Sequence, residues 1–274
     1  MGQVLSKMHA MVAAGAGQAA AGESALGAPI VLPAGGPWLI THVWGQVAPS
    51  VALAAEQTGG SFRFDVDSGD WTPNPAPSRF PCYANSSSLG ALINPSTCPL
   101  KLFEVNWQAA GKSSVQIRVS NDIAITNIPQ WVAGLIFASE APVFEIPQFC
   151  DVARGVIAAA ALTAIGTVTL SEGATKIVGA AAVLSQNGVL VAGEELLGFV
   201  TLTSDDVSLA PMQLPCNCAY GAGLGATISA PGQPSVEMIP LDIPVVGGAR
   251  INFSVDLNTA VTNGADIALY VWYK

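Results

Sequence analysis

The sequence predicts an all-β protein built from two tandem sandwich modules. Three observations carry that reading. From residue 28 onward, short apolar runs alternate with Gly- and Pro-rich turns. Three ordered sequence blocks recur at spacings of 134 to 138 residues. Only 11% of the 274 residues are charged, while 51% are hydrophobic; an ordinary soluble domain carries roughly 25% charge. A chain this apolar is not disordered. At a net charge of −9 it offers no basic face for sequence-specific nucleic-acid binding. So few charges leave much of the exterior to be buried against copies of the chain or a membrane.

The elements follow in chain order. Val4, Leu5, Met8, Met11 and Val12 stand at helical spacing, so residues 1–27 are expected to form a short amphipathic helix grading into an Ala/Gly segment. Such an arm would touch a partner or lipid, or be a frayed terminus without a role. Met1–Ser6 matches the permissive N-myristoylation pattern, and no secretory signal is evident. The first module, 28–141, holds candidate strands at Ile30–Leu32, Trp38–Val47, Ser61–Val66, Leu100–Trp107, Val115–Val119 and Trp131–Ala138. A connector, 142–162, carries Pro142, Pro147 and a helix-like run, Asp151–Leu162. The second module, 163–274, holds Thr167–Leu170, Lys176–Leu184, Leu196–Thr203, Val236–Ile243, Ile251–Leu257 and Ile267–Tyr273. Asn187-Gly188 is a two-residue hairpin signal. The apolar stretches Gly155–Ser171 and Ile177–Gly193 fall short of a membrane span and read as β core.

The repeat is the most informative feature. Phe80–Ile93 lies over Leu214–Ile228, skipping Cys218, with seven of 14 positions identical. Val115–Phe137 lies over Ile251–Tyr273 at a spacing of 136. Leu32 and Leu39 lie over Leu170 and Ile177 at 138. Each module is large enough for a two-sheet sandwich.

Catalytic chemistry is not evident, and no catalytic, cofactor or metal residues are assigned. Nucleophilic catalysis needs a base beside the nucleophile. His9 lies in the arm, and His42 sits between apolar neighbours as a structural histidine. Asp65, Asp67 and Asp70 resemble a hard-cation loop but lack a downstream bidentate Glu. Asp205-Asp206 and Glu194-Glu195 read as turn and hairpin-shoulder residues, and Gly221–Gly225 lacks a phosphate-binding Lys. Asn85 and Asn252 head formal glycosylation sequons. Five cysteines, Cys82, Cys98, Cys150, Cys216 and Cys218, are an odd number without zinc-knuckle spacing. They read as buried free thiols, with a disulfide as the second reading. The six Trp residues are spread over the strands as core or subunit interface; a sugar-stacking platform is the sharper alternative.

Two tandem β-modules, the duplicated Phe80–Ile93 and Leu214–Ile228 blocks, an apolar arm and no catalytic set resemble a double jelly-roll major capsid protein. This is a family of icosahedral, often membrane-containing, prokaryotic viruses. The resemblance is architectural, over roughly residues 28–274, and rests on no diagnostic motif. It implies two tandem eight-stranded jelly-roll β-sandwiches behind a short N-terminal helix. It also implies homotrimers of pseudo-hexameric outline that tile a virion capsid. The implied partners are the chain itself, other capsid proteins such as a penton protein, and internal membrane lipid through residues 1–27. A tandem-sandwich carbohydrate or cell-surface adhesion protein, a minor capsid or spike protein, and a β-sandwich hydrolase are the alternatives.

Overall fold

The computed structural model describes residues 7–49, 58–67, 69–84, 96–122, 124, 128–187, 190–191, 194–209, 212–221 and 236–274. The first half contributes β1 (Met8–Ala16), β2 (Gly22–Ala25), β3 (Ile30–Val31), β4 (Trp38–Pro49), β5 (Thr58–Val66), β6 (Trp71–Thr72), β7 (Phe80–Ala84), β8 (Ser96–Pro99), β9 (Leu102–Ala109), β10 (Ser114–Asn121) and β11 (Pro129–Ala138). The second contributes β12 (Phe149–Ile157), β13 (Thr163–Thr169), β14 (Lys176–Gln186), β15 (Glu195–Leu196), β16 (Gly198–Thr203), β17 (Met212–Pro215), β18 (Cys218–Gly221), β19 (Ile239–Pro244), β20 (Arg250–Leu257) and β21 (Ala265–Tyr273). Among the described residues no helix is long and apolar enough to cross a membrane.

The sheet order defines the fold. In the first half, β1-β11-β4-β9 run side by side, and β2-β10-β5-β7 form the facing sheet. The second half repeats this as β12-β21-β14-β19 and β13-β20-β16-β17. In each half the first and last strands are neighbours and the second pairs with the last but one. That is jelly-roll winding, and the protein is two tandem eight-stranded jelly rolls. Alternation drives it: β10 and β20 bury every second residue, as a half-buried strand requires.

The sequence repeat is in structural register. Phe80 pairs with Phe62, which pairs on its other side with Val119. In the second roll Leu214 pairs with Val200, which pairs with Val255. Leu32 and Leu170 donate their backbone N–H to the carbonyls of Ser113 and Ala249, at 3.0 and 2.9 Å. The next turn matches too: Lys112 and Gly248 both have positive φ, 64° and 76°, and donate to Pro33 O and Ser171 O. The β4/β14 match needs one correction. Ile40, not Leu39, is the counterpart of Ile177, since these two face Phe137 and Tyr273. Residues 85–93 and 222–228 of the repeat, and Gly188 of the hairpin signal, lie outside the described residues, as do Met1–Ser6, Asn85 and the Gly221–Gly225 run beyond its first residue.

Two helices expected from the sequence are strands instead. Within residues 1–27, Met8–Ala16 is β1, paired along its length with β11 and meeting β17 in parallel at Ala10 and Met212. Small Ala and Gly side chains fit a strand packed between neighbours, and that pairing overrides the helical spacing. Met8, His9 and Ala10 are buried, so this segment is not a free arm lying on lipid. Within the connector, Phe149–Ile157 is β12, paired with β21.

The β1–β17 contact merges one sheet from each roll into a single nine-stranded sheet. A small sheet, β15-β18-β8, also joins the halves: Cys218 and Ala219 pair with Pro99 and Cys98. The buried residues of both rolls form one continuous apolar core.

Two glycines mark close approaches that recur in both rolls. A Cβ on Gly60 would run into the carbonyl oxygen of Ser120, and one on Gly198 into that of Asp256. Gly60→Ala and Gly198→Ala should each lower stability by about 2–4 kcal/mol. Gly173→Ala, where a Cβ meets nothing within 4 Å, should stay within about 0.5 kcal/mol of the parent. Urea unfolding of the three variants checks this.

Candidate assembly surface

Strand alternation and register determine which side chains share a sheet face. In β21, Ala265, Ile267, Leu269, Val271 and Tyr273 point into the second roll and are buried. The opposite set, Asp266, Ala268, Tyr270 and Trp272, points outward. Beside it on β12 stand Cys150, Val152, Arg154 and Val156, opposite Trp272, Tyr270, Ala268 and Asp266. On β14, Val183 and Ser185 stand opposite Ala268 and Asp266. Val152 and Val156 are 43% and 57% exposed. The Tyr270 and Trp272 rings stack with centroids 5.9 Å apart. A shallow groove of about 430 Å³ runs between Arg154, Val183, Asp266 and Tyr270.

The same face of the first roll is covered. On β4 and β11 the outward residues His42, Trp44, Gln46, Val132, Ile136 and Ala138 are buried, while Leu39 is half-buried and Glu104 and Gln108 of the neighbouring β9 stay exposed. The cover includes the joining sheet, with β8, β15 and β18 lying over β4. Gln46 Nε2 donates to Cys98 O at 3.3 Å, and Phe144 packs edge-on to His42 at 5.9 Å. The β4–β11 strip of one roll's outer face is therefore covered within the chain, whereas on its counterpart the β12 side is open and the β14 side, at Ala181 opposite Tyr270, is buried.

The connector borders the open face. Val143, Phe144 and Ile146 are exposed, Ile146 by 87%. Their backbone is strapped down by charge. Lys176 Nζ donates to Val143 O at 2.7 Å and pairs with Asp242 and Glu145 at 2.6 and 3.0 Å. Asp242 accepts the Val143 N–H, and Lys274 also pairs with Glu145. Exposed apolar side chains on a fixed backbone suit a contact surface, because little entropy is lost on docking.

The residues singled out from sequence have structural surroundings. His9 stacks on Phe137 and meets Trp38 edge-on; His42 hydrogen-bonds Thr41 Oγ1 at 3.1 Å. Burial holds both imidazoles below their ordinary pKa. Asp65 pairs with Arg118 at 2.8 Å, and the backbones of Asp67 and Asp70 form a turn. Asp206 accepts from Arg250, and Glu194 accepts the backbone N–H groups of Val191 and Thr262. Among the described residues no group of three His, Cys, Asp or Glu could hold a metal ion. The aromatics gather more than their sequence spacing suggested: Trp107 meets Trp71, Phe64 and Phe80 at 5.7–6.1 Å inside the first roll. Strand alternation aims these distant positions at one core. The outer-face valines of β12 were missed because Asp151–Leu162 suggested a helix; their signal was the period-two spacing of Val152, Arg154 and Val156.

Glu195 was also missed as a special group. It sits in the joining sheet, 1% exposed, with neither carboxylate oxygen hydrogen-bonded. Burial pushes its pKa up to about 7.

No protein-family model and no curated protein matches the chain. Similar solved structures include a chain from the atomic structure of Sulfolobus Turreted Icosahedral Virus, with a TM-score of 0.25 and 10% identity over 97% of this chain and 90% of that one. Another is the STIV MCP, with a TM-score of 0.22 and 9% identity over 97% and 96%. The jelly-roll assignment rests on the strand order within this chain.

The buried Glu195 makes stability fall with rising pH. Its folded pKa lies above the unfolded one, so the folded state holds more protons between about pH 4.5 and 7. Its contribution is intact below that window and lost above it. Glu195→Gln should be more stable than the parent by about 2–3 kcal/mol at pH 8 and nearly equal to it at pH 4. Urea unfolding at the two pH values measures the difference.

Proposed function

We propose that this chain is a viral shell protein, a major capsid protein whose homotrimers, pseudo-hexameric in outline, tile an icosahedral virion. The observation that supports it is the unequal fate of two equivalent faces. The β4–β11 strip of the first roll's outer face is covered by the joining sheet and the connector of the same chain. On the second roll the β12–β21 strip is left uncovered, with Val152 and Val156 exposed and Tyr270 and Trp272 half-exposed beside them. A second copy can cover this strip. Such a contact is head-to-tail, so repeating it closes a ring or grows a filament. Three copies of two rolls give six similar units around one axis, a shape suited to tiling. Low surface charge fits this use, because packed lateral faces then desolvate few ions. Other capsid components, such as a penton protein, are the further partners of this reading. A glycan-binding adhesion protein is the second reading, favoured by the stacked, half-exposed Tyr270–Trp272 pair.

Sedimentation velocity separates the two. The shell reading expects a trimer of about three 27.9 kDa chains. Val152→Asp and Val156→Asp should yield folded monomers whose unfolding midpoint equals that of the dissociated parent, since both side chains point to solvent in the single chain. A parent that stays monomeric at tens of micromolar, or variants that remain trimeric, would contradict it. Saturable binding of the monomer to a glycan array would support the second reading.

A further inference from the structure

Four thiols, Cys82, Cys98, Cys216 and Cys218, are buried where the rolls meet, and one pair of them is poised to react. Cys82 on β7 and Cys98 on β8 place their sulfurs 3.7 Å apart. A disulfide bond needs about 2.05 Å, within reach of a modest side-chain rotation. Both thiols line a cavity of about 370 Å³ shared with Tyr83 and the exposed Lys101, which gives a small reagent an approach. We propose that Cys82 and Cys98 are a redox-active dithiol that a small disulfide, such as oxidised glutathione, converts to an intramolecular disulfide.

The chemistry balances as ordinary thiol–disulfide exchange. The Cys98 thiolate attacks one glutathione sulfur, forming a mixed disulfide and releasing a glutathione thiolate, which takes up the proton Cys98 had lost. Cys82 then loses its proton, displaces the second glutathione and closes the bond. Two protein thiols and one glutathione disulfide become one protein disulfide and two glutathione thiols. The order follows from the hydrogen bond between the sulfurs, which favours the thiolate on Cys98, while burial pushes the Cys82 thiol up. The other thiols are less suited: burial pushes Cys216 and Cys218 up to about 12, and Cys150 stands alone and exposed. Cys98 pairs with Ala219 of the second roll, so the new bond would fasten β7 of the first roll to the sheet that joins the two. This inference is independent of the shell reading.

Trypsin cuts after Arg79 and Lys101, so one fragment, Phe80–Lys101, carries both cysteines. The intact protein is incubated with oxidised glutathione, unfolded, alkylated with iodoacetamide and digested. The expected fragment is lighter by two hydrogens and unalkylated, and takes two alkyl groups after reduction with dithiothreitol. The unfolding midpoint should rise by roughly 5 °C and fall back on reduction. A fragment that still takes two alkyl groups after oxidation, one that retains a glutathione adduct, or a link from Cys98 to Cys218 would overturn the assignment.

Discussion

The structure depends on burying the central strands β11 and β4 of the first roll on both faces. Their inner side packs on the facing sheet of their own roll, and their outer side lies under the joining sheet and the connector. Trp44, Val132 and Ile136 are fully buried on that outer side, and each contributes about 1.5–3 kcal/mol relative to exposure. Strands buried on both faces tolerate few charges, and β4 and β11 carry no Asp, Glu, Lys or Arg. The two rolls are held as one body by three devices on the β1-β11-β4-β9 sheet: the β1–β17 contact, the joining sheet and the connector strapped by Lys176.

Duplication explains both the symmetry and its one break. Strand order, cross-strand register, the positive-φ turn at Lys112 and Gly248, and the close approaches at Gly60 and Gly198 all recur. The outer faces do not share an environment. The first module's β4–β11 strip has a cover within the chain, and the second module's β12–β21 strip does not. The open edge strand β12, with unpaired backbone groups and exposed valines, is a liability for a solitary protein. For a protein that assembles, it is where the next subunit belongs.

Much of this was legible from residues alone. Alternation exposed nearly every long strand, and the Leu32/Leu170 and Val119/Val255 matches landed in true register. What stayed hidden has physical causes. Met8–Ala16 is Ala- and Gly-rich and becomes a strand only because β11 and β17 flank it. β12 is an edge strand whose exposed valines mimic a helical run. Glu195 and the Cys82–Cys98 pair owe their character to partners distant in sequence, and no local pattern marks a buried carboxylate or two facing sulfurs. The aromatic cluster around Trp107 is assembled from four separate strands in the same way.

The central claim is that the outer face of the second roll is covered by a second copy. Hydrogen–deuterium exchange compared between dissociated and assembled protein tests it most directly. Amides of Phe149–Ile157 are expected to gain strong protection on assembly, while those of Trp38–Pro49, already covered within the chain, do not change. Equal exchange of Phe149–Ile157 in both states would contradict it.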